Sequence, residues 1–123
     1  MNSEYSPKTR ARGRRFEKMA EEFLLKKGFK TLARNWQAGH KEIDLIMADG
    51  DTVVFVEVKG SRSGKYGHPA EKVNARKRAN LIAAARQYIA SSTIKNAGYR
   101  FDLITVYRGE LEYYPDAFQS DVT

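Results

Sequence analysis

The chain has no cysteine, which excludes disulfides, thiolate nucleophiles and every zinc site that needs a cysteine ligand. Histidine is nearly as scarce. His40 and His68 are the only two, which gives little basis for a histidine-based metal centre. A divalent metal would therefore have to be a hard ion held by carboxylate oxygens. No apolar run approaches the length of a membrane-spanning helix. The opening MNSEYSPKTRARGRR is basic, but no apolar stretch of signal-peptide type follows it, so the expected location is cytoplasmic and no membrane partner is expected. At 123 residues the chain suits one compact domain with one core.

Positive charge, in contrast, is in surplus. The formal net charge is +7, and it is concentrated in two segments. Residues 1–18 carry six basic against two acidic residues, and residues 59–86 carry eight against one. The remainder is net negative. Such clustering is expected of a surface that meets a polyanion, although a solvated helix face plus a basic tail has the same composition. Arg14, Arg15, Arg62, Lys65, Arg76 and Lys77 are the candidate nucleic-acid contacts. Residues 1–12 read as a basic arm, either without a role or reaching for phosphates. Residues 119–123 read as a tail, and 13–118 as the domain.

Hydrophobic periodicity organises that domain. Phe16, Ala20, Phe23 and Leu24 recur at helical spacing over 14–27, and Gly28 supplies a stop. Residues 29–36 read as a strand. In 41–47 the pattern alternates: Ile43, Leu45 and Met47 are expected on one face, Glu42, Asp44 and Ile46 on the other. Ala48–Asp51 reads as a turn, and TVVFVEVK over 52–59 as a strongly β-prone strand completing a hairpin. Residues 60–69 read as a loop, with His68 within it and Tyr66 either packed on the core or stacked on a base. Asn74 is a plausible N-cap for a helix over 75–91, with Leu81, Ile82, Ala85 and Ile89 as its buried stripe. Strands are expected over 99–107 and 111–114. Trp36 reads as a cap on the core. The order helix, three strands, helix, two strands specifies an α/β fold with a mixed sheet flanked by helices.

The chemistry concentrates in KEIDLIMADGDTVVFVEVKG. Side chains two apart on a strand share a face, so Glu57 and Lys59 project together. The hairpin would bring Asp44 across to Glu57. Two carboxylates converging at a sheet end need compensating charge. A magnesium or manganese ion held by Asp44, Glu57 and the carbonyl of Val58 would supply it. Such an ion polarises a phosphate oxygen and acidifies a bound water, while Lys59 neutralises charge developing on the phosphate. A solvated cross-strand ion pair is the alternative.

Three neighbours admit two readings each. Glu17 either leans over the sheet toward the site or is a first-turn carboxylate favoured by the helix dipole. Glu42 is either a group behind the ligands or a plain strand-start carboxylate. Lys77 either meets a phosphate beside the second helix's N-terminus or stays solvated.

The run from Gly13 through Val106 resembles the YraN family of uncharacterised bacterial proteins. GRRFEKMAEEFLLKKGF, LARNW, EIDLI, VFVEVK, Gly67–Pro69, Lys77 and RFDLITV carry the resemblance, in the family's order and over about three quarters of the chain. That family is similar to archaeal Holliday-junction resolvases and other PD-(D/E)XK nucleases. The resemblance implies a single restriction-endonuclease-like domain. It also implies a catalytic set of Glu17, Asp44, Glu57 and Lys59, with Mg²⁺ or Mn²⁺ as cofactor. The implied substrate is nucleic acid, DNA above all and branched DNA by analogy, and a homodimer is compatible with it. This sequence departs from the family in three places. Phe16 and Lys41 stand where glycine is usual, and Gly60 stands where a bulkier polar residue is common. The expected activity is metal-dependent phosphodiester hydrolysis. The rivals are a non-catalytic nucleic-acid-binding module and a domain whose basic faces meet an acidic protein.

Overall fold

A computed structural model describes residues 7–61, 68 and 74–118, with side chains from residue 13 onward. Helix α1 spans Pro7–Lys26, strands β1 Lys30–Ala38, β2 Lys41–Asp49 and β3 Thr52–Ser61, helix α2 Ala75–Ser91, and strands β4 Gly98–Tyr107 and β5 Glu110–Phe118. The five strands form one mixed sheet in the order β1-β2-β3-β4-β5. Pairing is antiparallel except between β3 and β4, which run parallel and are joined through α2. The α/β class and the element order agree with the periodicity.

Local chemistry accounts for the boundaries. Gly28 takes φ +95°, a conformation that side chains resist. The Gly28 N–H then donates to Leu25 O at 3.0 Å and the Phe29 N–H to Leu24 O at 3.1 Å, closing α1 in a Schellman motif. Asn74 caps α2 as its sequence suggested, Oδ1 accepting from the Lys77 N–H at 3.0 Å. Helix α1 begins seven residues earlier than periodicity indicated, at Pro7. Proline is favoured at a first helical position because its missing N–H would have had no partner there. The helix thus enters the stretch read as an arm.

Each helix buries one face of the sheet. Ala20 and Leu24 of α1 pack with Leu45, Met47, Val54, Val56 and Ile104. Leu81, Ala84 and Ala85 of α2 pack with Ile43, Ile46, Val53, Phe55 and Phe101. Trp36 lies against this second core with its ring edge-on to Tyr88, centroids 5.4 Å apart, as a cap.

These clusters correct the expected alternation in β2. Ile43 does not share a face with Leu45 and Met47. It packs on the α2 side with Ile46, so the pattern reverses at Asp44. β1 reverses in step. Ala33 and Trp36, three apart, both face the α2 core. Between them Asn35 adopts φ +47°, a left-handed conformation that asparagine tolerates better than most residues.

The last strand also exceeds expectation, running to Phe118 rather than residue 114. It passes Pro115, which an edge strand can accept, and a register irregularity opposite Phe101–Leu103. Asp102, with no exposed surface, organises that irregularity. It accepts from Tyr113 Oη at 2.6 Å, Arg100 Nε at 2.9 Å and the Asp116 N–H at 2.8 Å.

Candidate active-site cleft

The β2–β3 ladder ends at Leu45↔Val56, yet both strands continue. Beyond that pair β2 stays with β1 down to Ala38↔Lys41, and β3 stays with β4 up to Ser61↔Tyr107. The sheet therefore splays, and Asp44 and Glu57 are the first residue on each side of the gap. Asp44 spans it: its Oδ2 accepts the Val58 N–H at 2.9 Å, a side chain standing in for the lost ladder bond. The gap lets side chains from both helix layers meet. It opens into a cleft of about 690 Å³, lined by Arg14 and Glu17 of α1, Asp44, Glu57, and Lys77 and Asn80 of α2.

Glu57 is nearly fully buried and faces two ammonium groups. Its Oε1 lies 3.7 Å from Lys59 Nζ and 3.4 Å from Lys77 Nζ. Burial pushes the Glu57 carboxyl up, and the charges of Lys77 and Lys59 oppose the rise. Burial and then the charge of Glu57 push Asp44 well above the usual carboxylate range, against the Val58 N–H. Glu17 is raised too, by burial first and by the charges of Glu42 and Glu57. Its Oε1 accepts from Asn35 Nδ2 at 2.8 Å, which opposes the rise. Three acids with raised affinity for protons in one cleft also attract cations.

The structure therefore gathers Glu17, Asp44 and Glu57 in one cleft; Lys59 is not among its lining residues and joins them through Glu57. Glu42 also lines the cleft, but it is exposed; it accepts from Gln37 Nε2 at 2.9 Å and contributes charge. Lys77 departs from both sequence readings, because its ammonium turns inward to Glu57. The charges of Glu57 and Asp44 raise its pKa although burial works against it. Arg14 lines the cleft, whereas Arg15 and Arg76 are exposed away from its lining. Arg62, Lys65, Tyr66 and the glycine and proline of Gly67–Pro69 lie outside the described residues. His68 is described, and its Nε2 pairs with Glu112 Oε1 at 2.7 Å.

Sequence reasoning missed Asn35, whose amide holds Glu17. The available signal was an asparagine interrupting a strand, a residue that accepts left-handed backbone. The three departures from the family pattern also find places. Lys41 lines the cleft and adds charge there. A Cβ on Gly60 would fall 2.0 Å from Cδ2 of Phe16, so the bulky residue on α1 and the missing side chain on β3 compensate each other.

Among the described residues no three His, Cys, Asp or Glu side chains are gathered closely enough to cage a metal by themselves. The donor set still fits a hard, water-rich ion. Magnesium is commonly held through one or two carboxylates and keeps several waters, and Asp44 and Glu57 are two buried or half-buried carboxylates facing one gap. The Val58 carbonyl leaves β3 on the same edge as the N–H that reaches Asp44.

Taken together, these features define an α/β protein with a five-stranded mixed sheet, consistent with a restriction-endonuclease-like fold, and an acid–lysine cluster where the sheet splays. The model of the uncharacterised protein family UPF0102 matches residues 16–106. A UPF0102 protein of Chloroherpeton thalassium is 43% identical over 94 residues, covering 76% of this chain and 73% of the relative. One from Pseudomonas paraeruginosa is 42% identical over 99 residues, covering 80% and 79%. One from Carboxydothermus hydrogenoformans is 34% identical over 108 residues, covering 88% and 92%. The chain belongs to the UPF0102 family, for which YraN is another name. No helix among the described residues is long and apolar enough to cross a membrane.

Proposed function

We propose that this protein binds nucleic acid, DNA in the first instance, and hydrolyses its phosphodiester bonds with Mg²⁺ or Mn²⁺. The observation that carries this reading is the convergence of Glu17, Asp44 and Glu57 on a cleft at a splayed sheet end, with Lys59 paired to Glu57 behind it, in a chain of net charge +7. In this reading Asp44, Glu57 and the Val58 carbonyl hold the ion. When bound, it would polarise the phosphate and acidify an attacking water. Lys59, two residues along β3 from Glu57, neutralises charge developing on the phosphate. Arg14 at the cleft wall and the exposed Arg15 and Arg76 draw in the backbone. Branched DNA is proposed as substrate by analogy with resolvases, and the cytoplasm as its location.

A second reading has its own support. Glu57 already has two lysine partners, Asp44 accepts from the Val58 N–H, Glu17 accepts from Asn35, and among the described residues no three acids close into a cage. The cluster could thus stay balanced without metal in a binding module that does not cleave.

The deciding experiment is single-turnover cleavage of a panel of duplex, flap, four-way junction, single-stranded DNA and RNA, with Mg²⁺ and with Mn²⁺. Glu57→Gln serves as control. Metal-dependent cleavage lost in the variant supports the enzyme. Tight binding without cleavage of any substrate leaves the binding module.

A further inference from the structure

We infer that Lys77 is an exchangeable counter-ion: its ammonium balances Glu57 until a divalent cation takes that carboxylate, and then turns to a phosphate of nucleic acid in the cleft. The inference rests on the metal-dependent reading above and names the residue that must move for it to operate.

Glu57 is 2% exposed, and a single oxygen, Oε1, serves both lysines. The separations of 3.4 and 3.7 Å exceed the roughly 2.7–2.9 Å of a seated charge-assisted hydrogen bond. Neither ammonium is locked onto Glu57. The two differ in how they are carried. Lys59 belongs to β3 itself, within the run paired to β4 opposite Thr105, and so is tied to the same strand as Glu57. Lys77 reaches across from the other layer, in the first turn of α2, with 39% of its side chain exposed. Its backbone N–H is bonded to the Asn74 cap. The start of the helix is thus held independently of where the side chain points. Rotation of a flexible four-carbon stem is enough to release the ammonium, with no change in the backbone.

A magnesium-sized ion on a Glu57 oxygen would sit about 2.0–2.1 Å from it, inside the separations that the lysines now keep. It would repel each ammonium with twice the force of another monovalent cation at the same distance. Lys77 has somewhere to go, because it lines the open cleft with Arg14, Lys41 and Asn80. The residue that balances the site at rest then contributes positive charge to the substrate track.

Isothermal titration calorimetry of Mn²⁺ into the full-length protein, without nucleic acid, tests this on wild type, Lys77→Met and Lys77→Arg. Lys77→Met removes the competing charge and should bind Mn²⁺ about tenfold more tightly than wild type. Lys77→Arg keeps the charge and should stay within about threefold. A second measurement needs no variant: acylation of wild-type lysines read by mass spectrometry, where Mg²⁺ should raise the labelling of Lys77 severalfold. If wild type binds Mn²⁺, Lys77→Met binds it no more tightly and Lys77 labelling is unchanged, the exchange is refuted while the metal site survives. If only Lys77→Met binds Mn²⁺, Lys77 blocks the carboxylate and does not yield it, and the exchange is refuted. If neither protein binds metal, the metal-dependent reading and the exchange fall together.

Discussion

Gly60→Ala isolates the contact between α1 and β3 beside the acid cluster. The added Cβ would lie 2.0, 2.2 and 2.5 Å from Cδ2, Cε2 and Cγ of Phe16, where no carbon atoms can coexist. Phe16 is half-buried, so one response is for its ring to swing outward. Fully burying a phenylalanine is worth roughly 1.5–3 kcal/mol, and about half of that would be lost here. If the ring stays, overpacking costs about 1–3 kcal/mol. Against either cost, replacing glycine in the unfolded chain returns about 0.4–1 kcal/mol. The net expectation is a loss of about 1 kcal/mol, read as a melting temperature lower by about 4 °C for a domain of this size. Phe16→Ala removes the obstacle, so Gly60→Ala in that background should be neutral or slightly stabilising. Calorimetric melting of the four proteins gives the coupling. A Gly60→Ala variant as stable as wild type, or one equally costly in both backgrounds, would show that the Phe16 ring does not occupy the place of the missing side chain.

Other perturbations separate the cluster from its scaffold. Glu17, Asp44 and Glu57 hold protons in the native state at pH values where the unfolded chain has released them. The metal-free protein should therefore lose stability as pH rises from the ordinary carboxylate range through the raised values. Asp44→Asn should flatten this fall in a chemical-denaturation series across pH, and should be more stable than wild type at neutral pH in EDTA. A steeper fall in the variant would reverse the sign assigned to Asp44. Asn35→Gly keeps the left-handed backbone but removes the donor to Glu17, so carbon-13 NMR titration should find the Glu17 carboxyl pushed still higher. Asn35→Ala should be less stable than Asn35→Gly by about 1 kcal/mol, since an alanine resists that conformation. Asp102→Ala strands Arg100 and Tyr113 and should cost about 3 kcal/mol in urea unfolding, the low end for breaking a buried pair because Arg100 is partly exposed. Its Mn²⁺ affinity should stay that of wild type, since Asp102 serves β5 rather than the cleft.

Much of this arrangement was legible in the sequence, for reasons that can be named. The α2 cap at Asn74, the Gly28 stop and the β-prone run of β3 are local signals, and local signals survive folding. The approach of Asp44 to Glu57 needed only a hairpin of the right length, although the pair lies just beyond the last ladder partners. The reversal of faces at Asp44 was not legible, because it depends on Asn35 kinking the neighbouring strand, a relation between strands that a period-two pattern cannot express. The extent of β5 was hidden by Pro115 and by the dependence of Asp116 on Asp102, fourteen residues away. Lys77 reads in sequence as one of several basic residues in a first turn. Only the splayed sheet shows that it points at Glu57.

That splay also bears on when the protein becomes competent during its synthesis. The half of β3 that carries Glu57 and Lys59 is held on one edge alone, by β4, and β4 begins at Gly98. While the ribosome is still adding α2, the hairpin of β2 with the first half of β3 can form, yet residues 57–61 have no strand to lie against. Parallel pairing across an intervening helix is a non-local step that comes late. Asp44 is held early, in the part of β2 paired with β1, whereas Glu57 is made early and mounted last. The nascent chain thus carries all three acids in sequence well before the cleft that gathers them can be complete.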